Sequence, residues 1–256
     1  MRGARVPSIR LAADGRLEHA WPRAAAPARA LQEALRSYVR PEGRPVGVRT
    51  VAAADLAYAP ALGRLFAAVV VFEFPSLRRL ETRALSRPIR FPYVPGLLSF
   101  REAPAILAAW KRLRRPADLL LCDGQGIAHP RGVGLASHLG LLTGVPTVGC
   151  AKSVLVGRHD EVGPRRGERS DLVFRGAIVG AALRTREGTR PIYVSPGHRV
   201  GLVAAVRYAL ACCRGFRIPE PIREADRLVG RLRRAATGAP DRRPTQAPIA
   251  ISGTRP

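Results

Sequence analysis

Three carboxylates, one lysine and two histidines occupy positions where a polar side chain needs a reason. Asp55 sits in Val51-Ala52-Ala53-Ala54-Asp55-Leu56-Ala57-Tyr58, an otherwise apolar strand-like run. An ionised carboxylate there is costly unless a cation or hydrogen-bond donors compensate it. The plain alternative is a strand-end aspartate with solvent access or a backbone hydrogen bond. Asp123 closes the apolar segment Asp118-Leu119-Leu120-Leu121-Cys122-Asp123 and is followed by Gly124-Gln125-Gly126. The carboxyl ends of central strands are where α/β sheets place ligands, although an Asp-Gly pair also makes a simple turn. Two strand-borne acids from distant segments could share a hard divalent cation such as Mg²⁺, which takes few carboxylates and keeps several waters.

The run Pro92-Tyr93-Val94-Pro95-Gly96-Leu97-Leu98-Ser99-Phe100-Arg101-Glu102 holds an aromatic between two prolines, each of which fixes φ and restricts the residue before it. A stiff loop should therefore present Tyr93 beside a carboxylate at a helix start. Ser99 and Glu102 also match a capping box, in which the glutamate reaches back to the N-cap amide. Lys152 follows a buried strand in a chain with only one other lysine, Lys111. A compact ammonium there could hold a phosphate, or the residue could be an ordinary surface lysine. His198, in Ser195-Pro196-Gly197-His198-Arg199, is expected between a strand and a helix. It could bind a cation, orient water or move a proton, or be polar surface. His129 could touch a phosphate or cap the Gly-rich turn. His19 and His159 acquire no role. The loop 124–134 lacks the endings of a P-loop or a Rossmann fingerprint; its backbone groups could read the edge of a flipped base.

The whole chain has 43 Lys+Arg against 19 Asp+Glu, a net +24 over 256 residues. Such a field attracts polyanions, above all nucleic acid, while GC-rich codon usage is the duller source of so much arginine. Cys122, Cys150, Cys212 and Cys213 have no CxxC spacing and read as reduced core residues. Neither a signal-peptide h-region nor a bilayer-length apolar run is present, so a cytoplasmic location is expected.

The elements that must position these residues follow from periodicity. Residues 1–26 read as an irregular basic extension, 27–235 as one domain, and 236–256 as a disordered tail. A helix is expected over 28–39, then strands over 48–58, 65–74 and 80–86 as an antiparallel meander. Further helices are expected over 100–113, 134–142, 200–213 and from Pro219-Glu220-Pro221. Buried strands are expected at 118–123 and 146–151, and others near 172–184 and 191–194. The sum is an α/β domain with a mixed central sheet.

Taken in order, Asp55, the Pro92–Glu102 run and Asp123-Gly124-Gln125-Gly126-Ile127-Ala128-His129-Pro130-Arg131 resemble the endonuclease V family of deoxyinosine-directed repair nucleases. Further matches are Gly134-Leu135-Ala136-Ser137-His138, Pro146-Thr147-Val148-Gly149-Cys150-Ala151-Lys152, Gly197-His198-Arg199-Val200 and Arg217-Ile218-Pro219-Glu220-Pro221, so that about 30–226 is covered. The resemblance implies an RNase H-like fold and Mg²⁺-dependent hydrolysis, with Mn²⁺ able to substitute, of the second phosphodiester 3′ to a deaminated purine. The products would be 3′-OH and 5′-phosphate ends.

In that reading Asp55 and Asp123 are metal ligands. Glu102 and His198 complete the site as further ligands or by positioning water, and Lys152 neutralises the scissile phosphate. Tyr93, flanked by Pro92, Val94 and Pro95, is the wedge filling the gap left by the flipped base. Backbone near Leu98, Gly124, Gly134 and Leu135 lines the base pocket. The partner is DNA with deaminated bases, and the chain is expected to act as a monomer. Two alternatives remain at this point: an endoribonuclease on inosine-containing RNA, and a non-catalytic nucleic-acid-binding module of RNase H-like descent.

Overall fold

The computed structural model describes residues 8–238 of the chain. Its centre is an eight-stranded mixed sheet in the order β5-β4-β3-β6-β7-β10-β9-β8. β3 (Thr50–Ala59), β4 (Arg64–Glu73) and β5 (Arg79–Pro88) form the expected antiparallel meander. β6 (Leu119–Cys122) and β7 (Thr147–Ala151) continue parallel to β3, both buried throughout as expected of central strands. β10 (Ile192–His198), β9 (Ala177–Leu183) and β8 (Arg169–Phe174) close the sheet antiparallel.

Alternation along the strands divides the core between two faces. Ala52, Ala54, Val69, Val71, Leu120 and Cys122 pack against α2 (Leu98–Trp110) and α3 (Leu135–Thr143). On the other face, Val51, Ala53, Leu119, Leu121, Val148 and Cys150 lie under α4 (Leu202–Ala211) and the start of α5 (Glu220–Thr237). α5 continues over Ala68, Val70 and Phe72. The four cysteines are buried and free, as expected.

Three expectations need correction. Residues 9–19 are not irregular: β1 (Ile9–Leu11) and β2 (Leu17–His19) pair as a hairpin. Its Leu17 is buried with α1 (Ala25–Leu35), Phe91 and Phe100, because an apolar residue on the inner face of a hairpin gains by leaving water. The capping box does not form. Leu97 is the N-cap of α2 without a side-chain cap, Ser99 Oγ bonds His138 Nδ1 at 3.0 Å, and Glu102 is engaged elsewhere. Third, His198 is the last residue of β10 rather than a loop residue. Of the expected tail, residues 236 and 237 still belong to α5, and 239–256 lie outside the described residues. No helix among the described residues is long and apolar enough to cross a membrane.

Candidate active site

Strand register brings the acids together. Ala54 of β3 pairs with Cys122 of β6, so Asp55 and Asp123 leave neighbouring parallel strands at one level. β7 runs beside β6 and delivers Lys152 at the same carboxyl end, where its Nζ forms an ion pair with Asp123 Oδ2. Asp55 shares strand parity with Val51 and Ala53, and Lys152 with Val148 and Cys150; all three polar residues therefore face α4 and α5.

The electrostatics reveal a fourth acid that the sequence reading missed. Burial, the charge of Asp123 and the charge of Asp226 push the Asp55 carboxyl well above the usual range. The Leu56 N–H, which donates to Asp55 Oδ1 at 2.8 Å, and the Lys152 ammonium act the other way. Asp226 lies on α5, in step with buried Ile222, Ala225 and Val229. An acid at the i+4 place of an i, i+3, i+4, i+7 core stripe was the signal that could have found it. Burial works against the Lys152 ammonium, but Asp123, Asp55 and Asp226 raise its pKa on balance.

Glu102 reaches the strand ends from the opposite face. It is 8% exposed, and Tyr58 Oη donates to its Oε1 at 2.7 Å. Burial raises its pKa to about 7, the Tyr58 hydroxyl opposes that, and the charge of Asp123 adds to it. Asp55, Asp123 and Asp226 thus act on a single ammonium, and Glu102 joins the group from the other face through the charge of Asp123.

His198 is not brought to this cluster. In the antiparallel β10–β7 pair it stands opposite Thr147, while Thr147 pairs with Leu120 at the start of β6. Asp123 lies three residues further along β6, which at about 3.3 Å per residue is about 10 Å along the sheet. His198 is 5% exposed and accepts the Arg40 N–H at Nδ1 across 3.2 Å. Burial, Arg199 and Arg40 lower its pKa to about 4. Its surroundings are those of a neutral, structural imidazole.

The recognition loop takes the form its sequence suggests. Val94-Pro95-Gly96-Leu97 is a turn closed by Leu97 N–H to Val94 O at 2.9 Å, with Gly96 at φ +75. Proline then glycine at the two central places suits a type II turn. Tyr93 is left 63% exposed, while Phe91 and Leu97 are buried and anchor the loop. His129 binds this loop, not a phosphate site: Nε2–H donates to Gly96 O at 3.0 Å, and Nδ1 accepts the Arg131 N–H at 3.2 Å. Arg131 also donates to Gly96 O at 2.8 Å and is held by Gln32 of α1 at 2.5 Å.

The Gly-rich loop packs as backbone against backbone. A Cβ on Gly126 would overlap Pro196 O, and the Gly126 N–H donates to Ser195 Oγ at 2.7 Å. Gly124 abuts Leu135, and Gly134 lies over Gln125 O, so the three residues expected to line a base pocket are neighbours. Leu98 opens α2, whose Ser99 is bonded to His138 of α3.

Carboxylate oxygens are hard donors suited to Mg²⁺ or Mn²⁺. Burial first, and then the charges of Asp123 and Asp226, disfavour the ionised Asp55 carboxyl, and a divalent cation would favour it. Among the described residues no three His, Cys, Asp or Glu side chains form a ready cage. Asp123 instead holds Lys152.

A mixed sheet with a meander, two parallel strands and acids at their carboxyl ends defines an RNase H-like nuclease. Residues 32–227 match the family model described as Endonuclease V, and the chain belongs to that family and is an endonuclease. An endonuclease V of Roseiflexus sp. (strain RS-1) is 50% identical over 223 residues, 86% of this chain and 100% of its own. The solved endonuclease V of Streptomyces avermitilis is 43% identical with a TM-score of 0.80, covering 85% of this chain and 96% of that one. An endonuclease V of Ciona intestinalis, 25% identical, has a TM-score of 0.73 and covers 82% and 96%. That protein was solved with a 23-mer DNA containing an inosine followed by a ribo-adenosine.

Proposed function

We propose that this endonuclease nicks DNA at the second phosphodiester 3′ to deoxyinosine and related deaminated bases, using Mg²⁺ and leaving 3′-OH and 5′-phosphate ends. The observation that carries the chemistry is the group of Asp55 in β3, Asp123 at the end of β6 and Asp226 of α5 around Lys152 at the end of β7. Family membership and the inosine-containing DNA held by the Ciona protein support the substrate.

Asp55, Asp123 and Asp226 would hold the cation. Bound there, it supplies charge stabilisation for in-line displacement and a more acidic water. Lys152 sets its ammonium against the scissile phosphate. Glu102, with a pKa of about 7, accepts a proton at neutral pH and orients the attacking water. Tyr93 fills the gap left when the base leaves the stack, a substitution of one stacking partner for another. The backbone at Leu98, Gly124, Gly134 and Leu135 forms the wall of the base pocket. His198 has no chemical role in this reading. The enzyme works as a monomer in the cytoplasm.

The test is incubation of the purified chain with Mg²⁺ and a labelled oligonucleotide carrying one deoxyinosine, with the cut mapped on a sequencing gel. One nick, at the second phosphodiester 3′ to the lesion, is expected. Much faster cutting of inosine-containing RNA would overturn the substrate, and unchanged nicking by both Asp55→Ala and Asp123→Ala would overturn the site.

A further inference from the structure

Lys152 is the one ammonium in the acidic site, yet it lies exposed just past the end of the buried strand β7 and carries four flexible methylenes. The structure pins its backbone from two sides. Arg217, in the segment leading to α5, donates from one guanidinium nitrogen to Lys152 O at 2.8 Å and to Pro191 O at 2.9 Å. Its Nε donates to Arg190 O at 2.8 Å. One planar side chain thus joins the end of β7, the approach to β10 and the approach to α5. On the other side, Gln125 Nε2 donates to Ser153 O at 3.1 Å, tying the next peptide to the loop that begins at Asp123.

Resting on the reading of Lys152 given above, we propose that Arg217 is a positioning residue that acts through Lys152: its grip on the Lys152 carbonyl holds the ammonium against Asp123 and the scissile phosphate. The fork geometry requires arginine. A lysine at 217 presents a point charge that cannot reach three carbonyls of fixed direction. The guanidinium is taken up by backbone acceptors, so it is not a free phosphate contact. A displacement of about 1 Å at a charged group facing a reacting phosphate is enough to slow chemistry severely.

The experiment is a double-mutant cycle on the full chain, read as single-turnover nicking of deoxyinosine DNA at saturating Mg²⁺, with DNA affinity and Tm measured in parallel. Arg217→Ala and Arg217→Lys should each slow nicking by about ten-fold in the Lys152 background, and by less than about two-fold in the Lys152→Ala background. The Tm loss should be the same in both backgrounds, and the salt dependence of DNA binding should not change. If Arg217→Ala fails to fold, Arg217→Lys alone completes the cycle. Rate losses that multiply across the two backgrounds would overturn the proposal, as would a weaker salt dependence, which marks a lost phosphate contact. Lys152→Ala nicking as fast as the parent would instead overturn the underlying assignment of Lys152.

Discussion

Tyr58 donates its hydroxyl hydrogen to Glu102 Oε1 at 2.7 Å, tying the carboxylate of α2 to the strand that carries Asp55 three residues earlier. The two acids approach from opposite faces of the sheet; the bond lies on the α2 face, where Tyr58 packs near Ala105. The Arg101 guanidinium lies over the Tyr58 ring, 4.8 Å from its centroid, and steadies the donor. Tyr58→Phe keeps the ring and loses only the hydroxyl. Stability should fall by about 1 kcal/mol, while nicking slows about ten-fold at unchanged DNA affinity. Unaltered nicking rates would separate Glu102 orientation from turnover.

Burial first, then the charge of Asp123, raises Glu102 to about 7 against the pull of Tyr58. In the unfolded chain a glutamate titrates near 4.3. A group whose folded pKa is raised contributes stability fully present below its unfolded pKa, and that contribution is lost as pH rises through the folded value. Chelator-treated protein should therefore lose stability between about pH 4.3 and pH 7, by on the order of 3 kcal/mol from Glu102. Asp55 acts in the same direction. Glu102→Gln should flatten the decline, and Mg²⁺ added at pH 8 should raise Tm by binding the charged form. Thermal melts over pH 5–8 decide it; a wild-type Tm that climbs with pH in chelator would contradict the burial argument.

Asp226 and His198 offer a contrast. Asp226→Asn should slow nicking by at least about a hundred-fold, in line with losing a charge that faces the reacting centre. His198→Gln should cost about 1–3 kcal/mol by disturbing the buried acceptor of the Arg40 N–H, with nicking per folded molecule nearly unchanged. The reverse ranking in a single-turnover assay would return His198 to the site.

Tyr93 stands 63% exposed on a loop held by His129 and Arg131 through Gly96 O. Tyr93→Ala should reduce discrimination between deoxyinosine and undamaged DNA by about 1–3 kcal/mol, the worth of one base–aromatic stack. Competitive binding of the two duplexes reads this directly, and equal losses on both would argue against a wedge.

Leu17→Ala tests whether the amino-terminal hairpin is part of the domain. Leu17 is buried with Phe91 and Phe100, near the recognition loop. Truncating it should cost about 2–4 kcal/mol, visible as a shift in the urea midpoint. A change below about 0.5 kcal/mol would return the hairpin to the status of an appendage.

By itself the sequence determined the elements and the class of chemistry. Apolar runs of strand length and helical stripes carry their periodicity locally, so the meander, the buried central strands and the five helices were legible to within a few residues. The Pro-Tyr-Val-Pro-Gly turn was legible for the same reason, since proline and glycine restrict their own backbone angles. Tertiary structure alone decided which polar residues meet. Asp226 looked like one charge among many on a basic helix until α5 was laid across β3. His198 could have been a site residue or polar surface, and the antiparallel register of β10 set it beside Thr147 at the start of β7. Ser99 and Glu102 matched a capping box, yet His138 and Tyr58, distant in sequence, made better partners. The hairpin was missed because its few apolar residues acquire meaning only against α1 and Phe100. Local backbone preference is encoded over three to ten neighbouring residues, whereas a site assembled at strand ends depends on register and face, which only the folded sheet supplies.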